Sequence, residues 1–311
     1  MTSRSRSPDP QACLAAAAER RDPFDLVVIG GGATGLGVAL DAAARGFAVA
    51  LFEAEDVAKG TSSRATKLVH GGVRYLAQGN VSLVREALRE RALLLANAPH
   101  LAGPLPFVLP AYGWRGRLWD RWFYGAGLLA YDLLAGSSSL GHTGLPGRRR
   151  LLASAPGLRQ EGLAGGVTYL DGQFDDARLA VTLARTAIAR GANVINYCRV
   201  VGLAVDEAGP NRLQNVEVED SETGWRFSVA ARCVVNATGV WVDAVRRLED
   251  PAAGEMVAPS QGIHLVVDRE FFPSERALII PRTIDGRVLF AVPWLGKVVL
   301  GTTDTPRPDL P

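Results

Sequence analysis

The sequence lacks several features that mark special classes of protein. It has three cysteines in 311 residues, Cys13, Cys198 and Cys233, and no two of them form a CxxC pair. Such a sparse, odd count argues against a disulfide framework and against metal binding by cysteine, and it fits a reducing compartment. The 34 basic and 32 acidic residues leave a net charge of only +2. Neither a metal ion nor a nucleic acid is therefore predicted.

Long apolar runs are absent as well. No run of about 18 apolar residues occurs, so no membrane-spanning helix is predicted. Residues 1–22 are rich in Ser, Arg and Pro and then in Ala, without the apolar core of a secretory signal. They are interpreted as a disordered tail that runs into a short helix, with a transit peptide as the alternative. The remaining composition, 48% hydrophobic and 21% charged, is ordinary for a folded chain of one large or two moderate domains.

A strand–helix–strand pattern opens the folded part of the chain. Residues 25–30 form a short apolar run with β-branched residues, which predicts a buried parallel strand. Residues 33–45 are typical of a helix that ends before Gly46, and residues 47–53 of a second strand. This order indicates an α/β fold that begins with a dinucleotide-binding unit.

The first turn of this unit carries the sequence GGGATG at residues 30–35, which matches GxGxxG. Gly30 permits a tight turn, Gly32 lets the backbone approach a pyrophosphate, and Gly35 lets the helix pack closely on the strand. Free amides and the dipole at the helix N-terminus favour phosphate there. Glu53 ends the second strand, where a carboxylate binds ribose hydroxyls and disfavours NADP. The alternative is a glycine-rich turn that only packs a helix.

Apolar periodicity predicts the remaining elements. Helices are expected over residues 81–98 and 177–190, and residues 101–165, rich in Gly, Pro and Ser, are expected to be irregular. Strands are expected over residues 166–170, 192–205, 215–220, 225–230, 232–236, 264–267, 277–280, 288–292 and 298–300. The strand at residues 232–236 leads into Ala-Thr-Gly, a pattern typical of FAD enzymes with the glutathione-reductase-like fold.

Longer motifs resemble one family of flavoenzymes. The segment TSSRATKLVHGGVRYL at residues 61–76 is similar to the signature of FAD-dependent glycerol-3-phosphate dehydrogenases. The sequences APHL at 98–101, DDARL at 175–179, PW at 293–294 and GTTDT at 301–305 are similar to the same family. The resemblance implies oxidation of sn-glycerol 3-phosphate at C2 to dihydroxyacetone phosphate, with FAD taking the hydride and ubiquinone the electrons.

The resemblance also implies the architecture. We expect a glutathione-reductase-like Rossmann FAD domain with a smaller α+β substrate domain that contains an antiparallel sheet. The expected boundaries are 1–22 for the tail, 23–100 and 165–255 for the FAD-binding domain, 101–164 for a membrane-facing or substrate insertion, and 256–311 for the start of an incomplete substrate domain. Family members continue beyond this point, so the chain is interpreted as C-terminally truncated. Weak FAD binding and poor turnover are expected of it alone.

Cofactor contacts are expected in several segments. Thr61, Ser62 and Ser63 are short hydroxyl donors suited to a pyrophosphate, and Gly71 and Gly72 permit the backbone to lie against a flat isoalloxazine ring. Ordinary loop chemistry is the alternative for each of them. The full set expected to contact FAD is Gly30, Gly32, Thr34, Gly35, Glu53, Thr61, Ser62, Ser63, Lys67, Leu68, His70, Gly71, Gly72, Val200, Ala237, Thr238, Gly239 and Trp241.

Oxidation at C2 requires a base for the hydroxyl proton. We assign this role to His264, at the entry of a predicted strand, since an ordinary histidine titrates at about pH 6.5. His70 is the second candidate, and a histidine bonded within the sheet is the alternative for His264.

Substrate contacts are expected from four further residues. Arg74 and Tyr75 place polar groups beside the expected position of the flavin, with a structural salt bridge and a buried core aromatic as their alternatives. Thr302 and Thr303 follow the last predicted strand, and their hydroxyls could bond substrate oxygens. The alternative there is a turn in which Asp304 caps backbone amides.

Residues 112–134 mix aromatic residues with arginine beside an apolar stretch. This composition suits a bilayer interface, whereas the alternative is a core-packed insertion with arginines on its solvent face. The predicted location is cytoplasmic, peripheral on the inner face of the cell membrane. A homodimer is left open.

Two other functions remain open at this stage. An FAD-dependent amine or amino-acid oxidase of the same superfamily would share the GxGxxG turn, Glu53 and the Ala-Thr-Gly turn, but it would lack the KLVHGGVRYL segment. A flavin-binding protein without catalysis is the second alternative. The motifs do not choose between quinone and oxygen as the electron acceptor.

Overall fold

The strands and helices follow the apolar patterns of the sequence over most of the chain. The structure, a computed structural model, describes residues 10–76, 79–115, 119, 121–205, 214–281, 283 and 287–307. The strands are β1 (Leu26–Ile29), β2 (Val49–Phe52), β3 (Leu68–Val69), β4 (Ala102–Tyr112), β5 (Leu163–Phe174), β6 (Asn193–Ile195), β7 (Cys198–Val205), β8 (Gln214–Asp220), β9 (Arg226–Ala231), β10 (Val234–Asn236), β11 (Ser260–Gln261), β12 (Leu265–Asp268), β13 (Ala277–Ile280), β14 (Leu289–Trp294), β15 (Lys297–Gly301) and β16 (Thr305–Pro306). The α-helices are α1 (Pro10–Ala18), α2 (Ala33–Ala44), α3 (Val73–Leu76), α4 (Val81–Asn97), α5 (Gly113–Arg115), α6 (Arg121–Ala135), α7 (Arg148–Ser154), α8 (Asp176–Ala189) and α9 (Val242–Glu249).

The chain forms two compact units that differ from the expected domain boundaries. Unit 1 draws on the segments 1–65, 176–259 and 306–311, and unit 2 on the segments 66–175 and 260–305. Residues 66–100 and 165–175, which were expected in the FAD-binding domain, therefore belong to unit 2. The physical reason is strand pairing, since β3 pairs with the end of β5 and β5 pairs along its length with β4.

Unit 1 is built on a parallel sheet with the strand order β10-β1-β2-β6. Its strand β1 consists only of apolar residues, and Val27 and Val28 of this strand are completely buried. Helices α2 and α8 pack on this sheet through small side chains, which include Ala39, Ala180 and Ala187. The strand–helix–strand prediction for residues 25–53 is confirmed, and β10 continues the sheet as expected of a doubly wound fold.

A three-stranded antiparallel sheet, β7-β8-β9, completes unit 1. Residues 192–205, for which one straight or bent strand was expected, form two strands in two different sheets, β6 and β7. The chain turns between them at Tyr197, which has a φ of +56°, and its amide donates to the carbonyl of Glu55. A continuous run of strand-forming residues conceals such a turn, because periodicity alone carries no signal for it.

Unit 2 is built on a seven-stranded sheet with the order β12-β15-β14-β13-β4-β5-β3. Its neighbouring strands pair antiparallel except for β13 and β4, which pair in parallel. Helices α4 and α6 cover this sheet, and their side chains Leu88 and Leu128 are buried against Phe107 and Tyr169. The expectation of a parallel sheet with a separate, largely antiparallel sheet is confirmed.

The prediction that residues 101–165 are irregular is wrong. This segment contains the long strand β4, helix α6 and the start of β5. The prolines of β4 lie at positions 104, 106 and 110. Alternate residues of a strand direct their amides to the same side, so these prolines remove donors on one side only and leave the other ladder intact. Proline content therefore obscured a strand that is eleven residues long.

Candidate functional site

The glycine turn of unit 1 joins β1 to α2 under tight packing. Gly30 has a φ of +107°, and a side-chain carbon there would lie 2.7 Å from the carbonyl oxygen of Ala237. A methyl group on Gly35 would overlap the carbonyl oxygen of Gly30. The close helix–strand approach predicted for this motif is therefore present, and both positions require glycine.

Glu53 is held directly against this turn. Its Oε2 accepts a 2.6 Å hydrogen bond from the amide of Gly31, and its Oε1 accepts a 2.9 Å bond from the amide of Glu55. A side-chain carbon on Gly31 would lie 2.9 Å from Glu53 Cβ. Gly31 was not singled out from the sequence, because it occupies a variable position of GxGxxG. The run of three glycines at residues 30–32 was nevertheless a usable signal.

Hydroxyl groups meet the N-terminus of α2 at the same place. The amide of Ala33 donates to Ser62 Oγ over 2.9 Å, and Ser62 lies in the short 3₁₀ turn Thr61–Ser63. Gly32 caps the helix in an extended conformation, and a side-chain carbon there would lie 3.1 Å from Ser62 Oγ. Thr34 is exposed on the first helical turn. Helix amides, hydroxyls and an open backbone fit a dinucleotide phosphate.

The Ala-Thr-Gly corner after β10 contacts the glycine turn from the neighbouring strand. The amide of Ala237 donates to the carbonyl of Ile29 over 2.8 Å. Thr238 Oγ1 donates to Asn236 Oδ1 over 2.7 Å, and Asn236 Nδ2 donates to the carbonyl of Val242 over 2.9 Å. Asn236 was not singled out from the sequence, although it fixes the corner with its side chain.

The remaining predicted cofactor residues of unit 1 lie on two elements. Gly239 has a φ of +59°, and the half-exposed Trp241 lies beside Gly60, near the 3₁₀ turn. Val200 is 8% exposed and lies in β7 opposite Val218, inside the apolar core. The contact of Val200 with the cofactor stays a prediction.

Unit 2 contains the predicted flavin-side segment His70–Gly71–Gly72. The exposed His70 accepts a 3.0 Å hydrogen bond at Nδ1 from the amide of Gly72, which has a φ of +69°. The amide of Gly71 donates to the hydroxyl of Tyr131 over 2.8 Å. A methyl group on Gly71 would overlap this hydroxyl and lie 2.6 Å from Leu88 Cδ2. Packing inside unit 2 thus requires glycine at position 71.

A buried polar network supports this segment from below. Tyr131 donates to Asp171 Oδ2 over 2.9 Å, and Arg91 Nη1 donates to Asp171 Oδ1 over 2.9 Å. Burial, reinforced by the nearby Asp171 carboxylate, raises the pKa of Tyr131 well above its usual range, so the phenol is neutral and remains a donor. Sequence reasoning missed all three residues. Arg91 carried a signal, because it follows Val84 and Leu88 on the apolar face of α4.

The other predicted residues near this segment are placed as follows. Lys67 has a φ of +63°, and its carbonyl accepts from the amide of Phe174 over 3.0 Å. Leu68 pairs with Gln173 between β3 and β5. Tyr75 is partly buried and packs against the apolar core, and its predicted contact with the substrate stays a prediction. The side chain of Arg74 lies outside the described part of the chain, so its predicted role stays a prediction.

His264 lies at the start of β12, opposite the end of β15. Its Nε2 is 2.9 Å from Thr66 Oγ1, and Gly301 packs so closely on its ring that a methyl group there would overlap Cδ2. Thr303 Oγ1 accepts from the amide of Ile263 over 2.9 Å, and Thr302 Oγ1 donates to the carbonyl of Thr303 over 2.8 Å. The threonine turn and the histidine segment therefore form one hydrogen-bonded structure.

Exposed aromatic side chains surround the start of α6. Trp114, Trp119, Trp122 and Phe123 are 63 to 70% exposed, and Leu133 at the far end of the helix is 81% exposed. The opposite face of α6 is buried in unit 2. Among the described helices, none combines the length and the apolar character needed to cross a bilayer.

Comparisons with known proteins identify the family. A model of the FAD dependent oxidoreductase family matches residues 25–311. The chain is 43% identical over 312 residues to the mitochondrial glycerol-3-phosphate dehydrogenase of Homo sapiens, covering 97% of this chain and 42% of that protein. It is 45% identical over 297 residues to a probable mitochondrial glycerol-3-phosphate dehydrogenase of Dictyostelium discoideum, covering 92% and 46%. The chain thus spans less than half the length of these relatives.

Solved structures agree with this result. The glycerol-3-phosphate dehydrogenase of Bacillus halodurans complexed with FAD matches with a TM-score of 0.75 and 35% identity, covering 96% of this chain and 50% of that chain. A glycine oxidase of Geobacillus kaustophilus matches with a TM-score of 0.68, and its 23% identity shows likeness of fold alone. The predicted fold class, the predicted FAD cofactor and the resemblance found in the motifs are confirmed. The chain belongs to the FAD-dependent oxidoreductase family.

Proposed function

We propose that the protein containing this chain oxidises sn-glycerol 3-phosphate at C2 to dihydroxyacetone phosphate. The observation that carries the proposal is the similarity to glycerol-3-phosphate dehydrogenases, which extends over nearly the whole chain. The long segment at residues 61–76, on which the resemblance rested, supplies Ser62 to the glycine turn of unit 1 and His70 to the loop described in unit 2. An amine or amino-acid oxidase of the same superfamily is not expected to contain that segment.

Unit 1 supplies the groups that would hold FAD. The N-terminus of α2, together with Ser62, would bind the pyrophosphate, and the carboxylate of Glu53 would accept hydrogen bonds from the ribose. FAD, when bound, supplies the acceptor for the hydride from C2. Because Gly32 has no side chain, nothing at this position separates the backbone from a phosphate, whereas a side-chain carbon there would lie 3.1 Å from Ser62 Oγ.

The chain must also accept a proton when the C2 hydroxyl becomes a ketone. We assign this proton to His264, whose ring is held at two points inside unit 2. His70 is the second candidate, and its Nδ1 already accepts from the amide of Gly72. The residues proposed to contact the substrate are Arg74, Tyr75 and the hydroxyls of Thr302 and Thr303.

The proposal extends to ubiquinone as the electron acceptor and to a peripheral location on the cytoplasmic face of the cell membrane. The exposed aromatic side chains around α6 support it, because tryptophan and phenylalanine favour the interface of a bilayer. A quinone dissolved in the bilayer would be reached from such a position. To decide whether ubiquinone or oxygen is the electron acceptor, reoxidation of the reduced flavin is followed with each of them.

Anaerobic reduction of bound flavin tests the central proposal. The purified protein that contains this chain is loaded with FAD and mixed with glycerol 3-phosphate, D-alanine or sarcosine, and the flavin absorbance is followed. We expect bleaching with glycerol 3-phosphate alone. Bleaching by an amino acid without a response to glycerol 3-phosphate would replace the proposal by the oxidase alternative. His264→Asn serves as the control, since it removes the proposed base and leaves the residues of unit 1 unchanged.

A further inference from the structure

Thr66 lies in the middle of a long motif and has no role in the function proposed so far. Its Oγ1 is 2.9 Å from Nε2 of His264, although 198 positions of the chain separate the two residues. Both side chains are partly buried, and both belong to unit 2. A specific contact over this sequence distance is the product of the fold and not of local chain geometry.

The imidazole of His264 is fixed from a second direction as well. Gly301, at the end of β15, packs against Cδ2, the ring carbon that is bonded to Nε2. The pairing of Leu265 with Leu300 sets this register, because it places the residue before β12 beside the last residue of β15. The ring is thus confined by backbone on one side and by a hydroxyl at its nitrogen.

We propose that Thr66 is the positioning residue for His264 in proton transfer. A hydroxyl both donates and accepts hydrogen bonds. In the proposed arrangement it accepts from Nε2–H, which favours the neutral tautomer of His264 whose Nδ1 carries the lone pair that takes the C2 hydroxyl proton. Because Nε2 carries a proton in both states, Thr66 holds the ring in one orientation before and after Nδ1 takes the proton.

The identity of residue 66 follows from this role. Serine would keep the hydroxyl and lose one methyl group, whereas valine would keep the shape of threonine and lose the hydroxyl. If Thr66 serves packing, Thr66→Val should impair the protein less than Thr66→Ser. If Thr66 positions His264, Thr66→Ser should impair it less than Thr66→Val. The assignment of the proton to His264 rests on the proposed function, whereas the hydrogen bond itself does not.

The first test requires no activity. The chain is labelled with ¹⁵N-histidine, His264→Gln identifies the signals of His264, and the ratio of its two neutral tautomers is measured by NMR. Loss of one hydrogen bond should change this ratio about threefold to tenfold in Thr66→Val and in Thr66→Ala, and Thr66→Ser should keep it. Two hydroxyl-free variants with different packing separate the effect from misfolding. Unchanged tautomer signals in both of them would overturn the proposal.

The second test measures reduction of the bound flavin by glycerol 3-phosphate. Thr66→Val should slow the reduction step about tenfold at saturating substrate and leave the KM unchanged, with recovery in Thr66→Ser. Equal rates in Thr66→Val and the unmodified chain would contradict the positioning role. If the protein that contains this chain is not reduced at all, the proposed function fails, and the NMR result still decides whether Thr66 sets the state of His264.

Discussion

Arg91 and Asp171 form an ion pair in the interior of unit 2, with 2.9 Å between Nη1 and Oδ1 and both side chains 1% exposed. Asp171 also accepts from the hydroxyl of Tyr131 and from the amide of Gly172. Arg91 further donates to the carbonyl of Ser138 over 3.0 Å. The amide of Gly71 donates to Asp171 Oδ1 as well, over 3.4 Å, so the carboxylate is compensated by one charge and three further donors, which is the condition for burying an ion pair at tolerable cost.

Breaking this pair should be costly. Arg91→Met leaves a buried carboxylate without its cation, and we expect the free energy of unfolding to fall by about 3 to 5 kcal/mol. The double variant Arg91→Met/Asp171→Leu removes both charges and should regain part of that loss. Urea denaturation of the three proteins measures both values. A double variant that is less stable than Arg91→Met would show that the charge itself is not the source of the effect.

The hydroxyl of Tyr131 connects this network to the His70–Gly71–Gly72 segment. Tyr131→Phe keeps the ring and removes both the acceptor of the Gly71 amide and a donor to Asp171. We expect a loss of about 1 to 3 kcal/mol and faster hydrogen exchange at the Gly71 amide. Leu133→Ala, on the exposed face of the same helix, is the control and should leave the exchange rate of Gly71 unchanged. Unaltered exchange in Tyr131→Phe would refute the connection.

Helix α2 offers a matched pair of glycines. Gly35→Ala forces a methyl group onto the carbonyl of Gly30, which should cost about 1 to 3 kcal/mol and weaken FAD binding. A methyl group on Gly37, two residues later, meets open space, so Gly37→Ala should be stabilising by up to about 1 kcal/mol. Urea denaturation and FAD titration measure both effects. Equal behaviour of the two variants would contradict the packing described for the turn.

Much of unit 1 could be predicted from the sequence, because its strands are continuous apolar runs that glycine punctuates. The site in unit 2 could not be predicted in the same way. The contacts Thr66–His264 and Gly71–Tyr131 join residues that are far apart in sequence, and neither leaves a local pattern. Arg91 and Asp171 are polar residues in the core, where hydrophobic periodicity predicts none. Strand β4 was not predicted for a different reason: it contains three prolines, and a high proline content is typical of loops.

Asp243 in unit 1 should make stability depend on acid pH. Hydrogen bonds from the amides of Val257 and Met256, together with Arg246, lower the pKa of this carboxyl from 3.8 to about 2. A lowered pKa means that the stabilisation is complete above pH 3.8 and is lost as the pH falls towards about 2. The urea midpoint should therefore fall over this interval, and Asp243→Asn should remove that part of the pH dependence. If the urea midpoint of Asp243→Asn fell with pH as steeply as that of the unmodified chain, Asp243 would not be the source of this pH dependence.

The aromatic side chains around α6 make membrane attachment testable. Burying one exposed aromatic side chain contributes about 1.5 to 3 kcal/mol, so Trp122→Ser/Phe123→Ser should lower the affinity for anionic vesicles at least about tenfold. Trp225→Ser is the control, because Trp225 is also exposed but lies in unit 1, stacked on Phe227. Vesicle co-sedimentation at low salt measures the three proteins. If the unmodified chain does not bind vesicles at all, residues 112–134 serve the structure of unit 2, and attachment to a bilayer must use other residues.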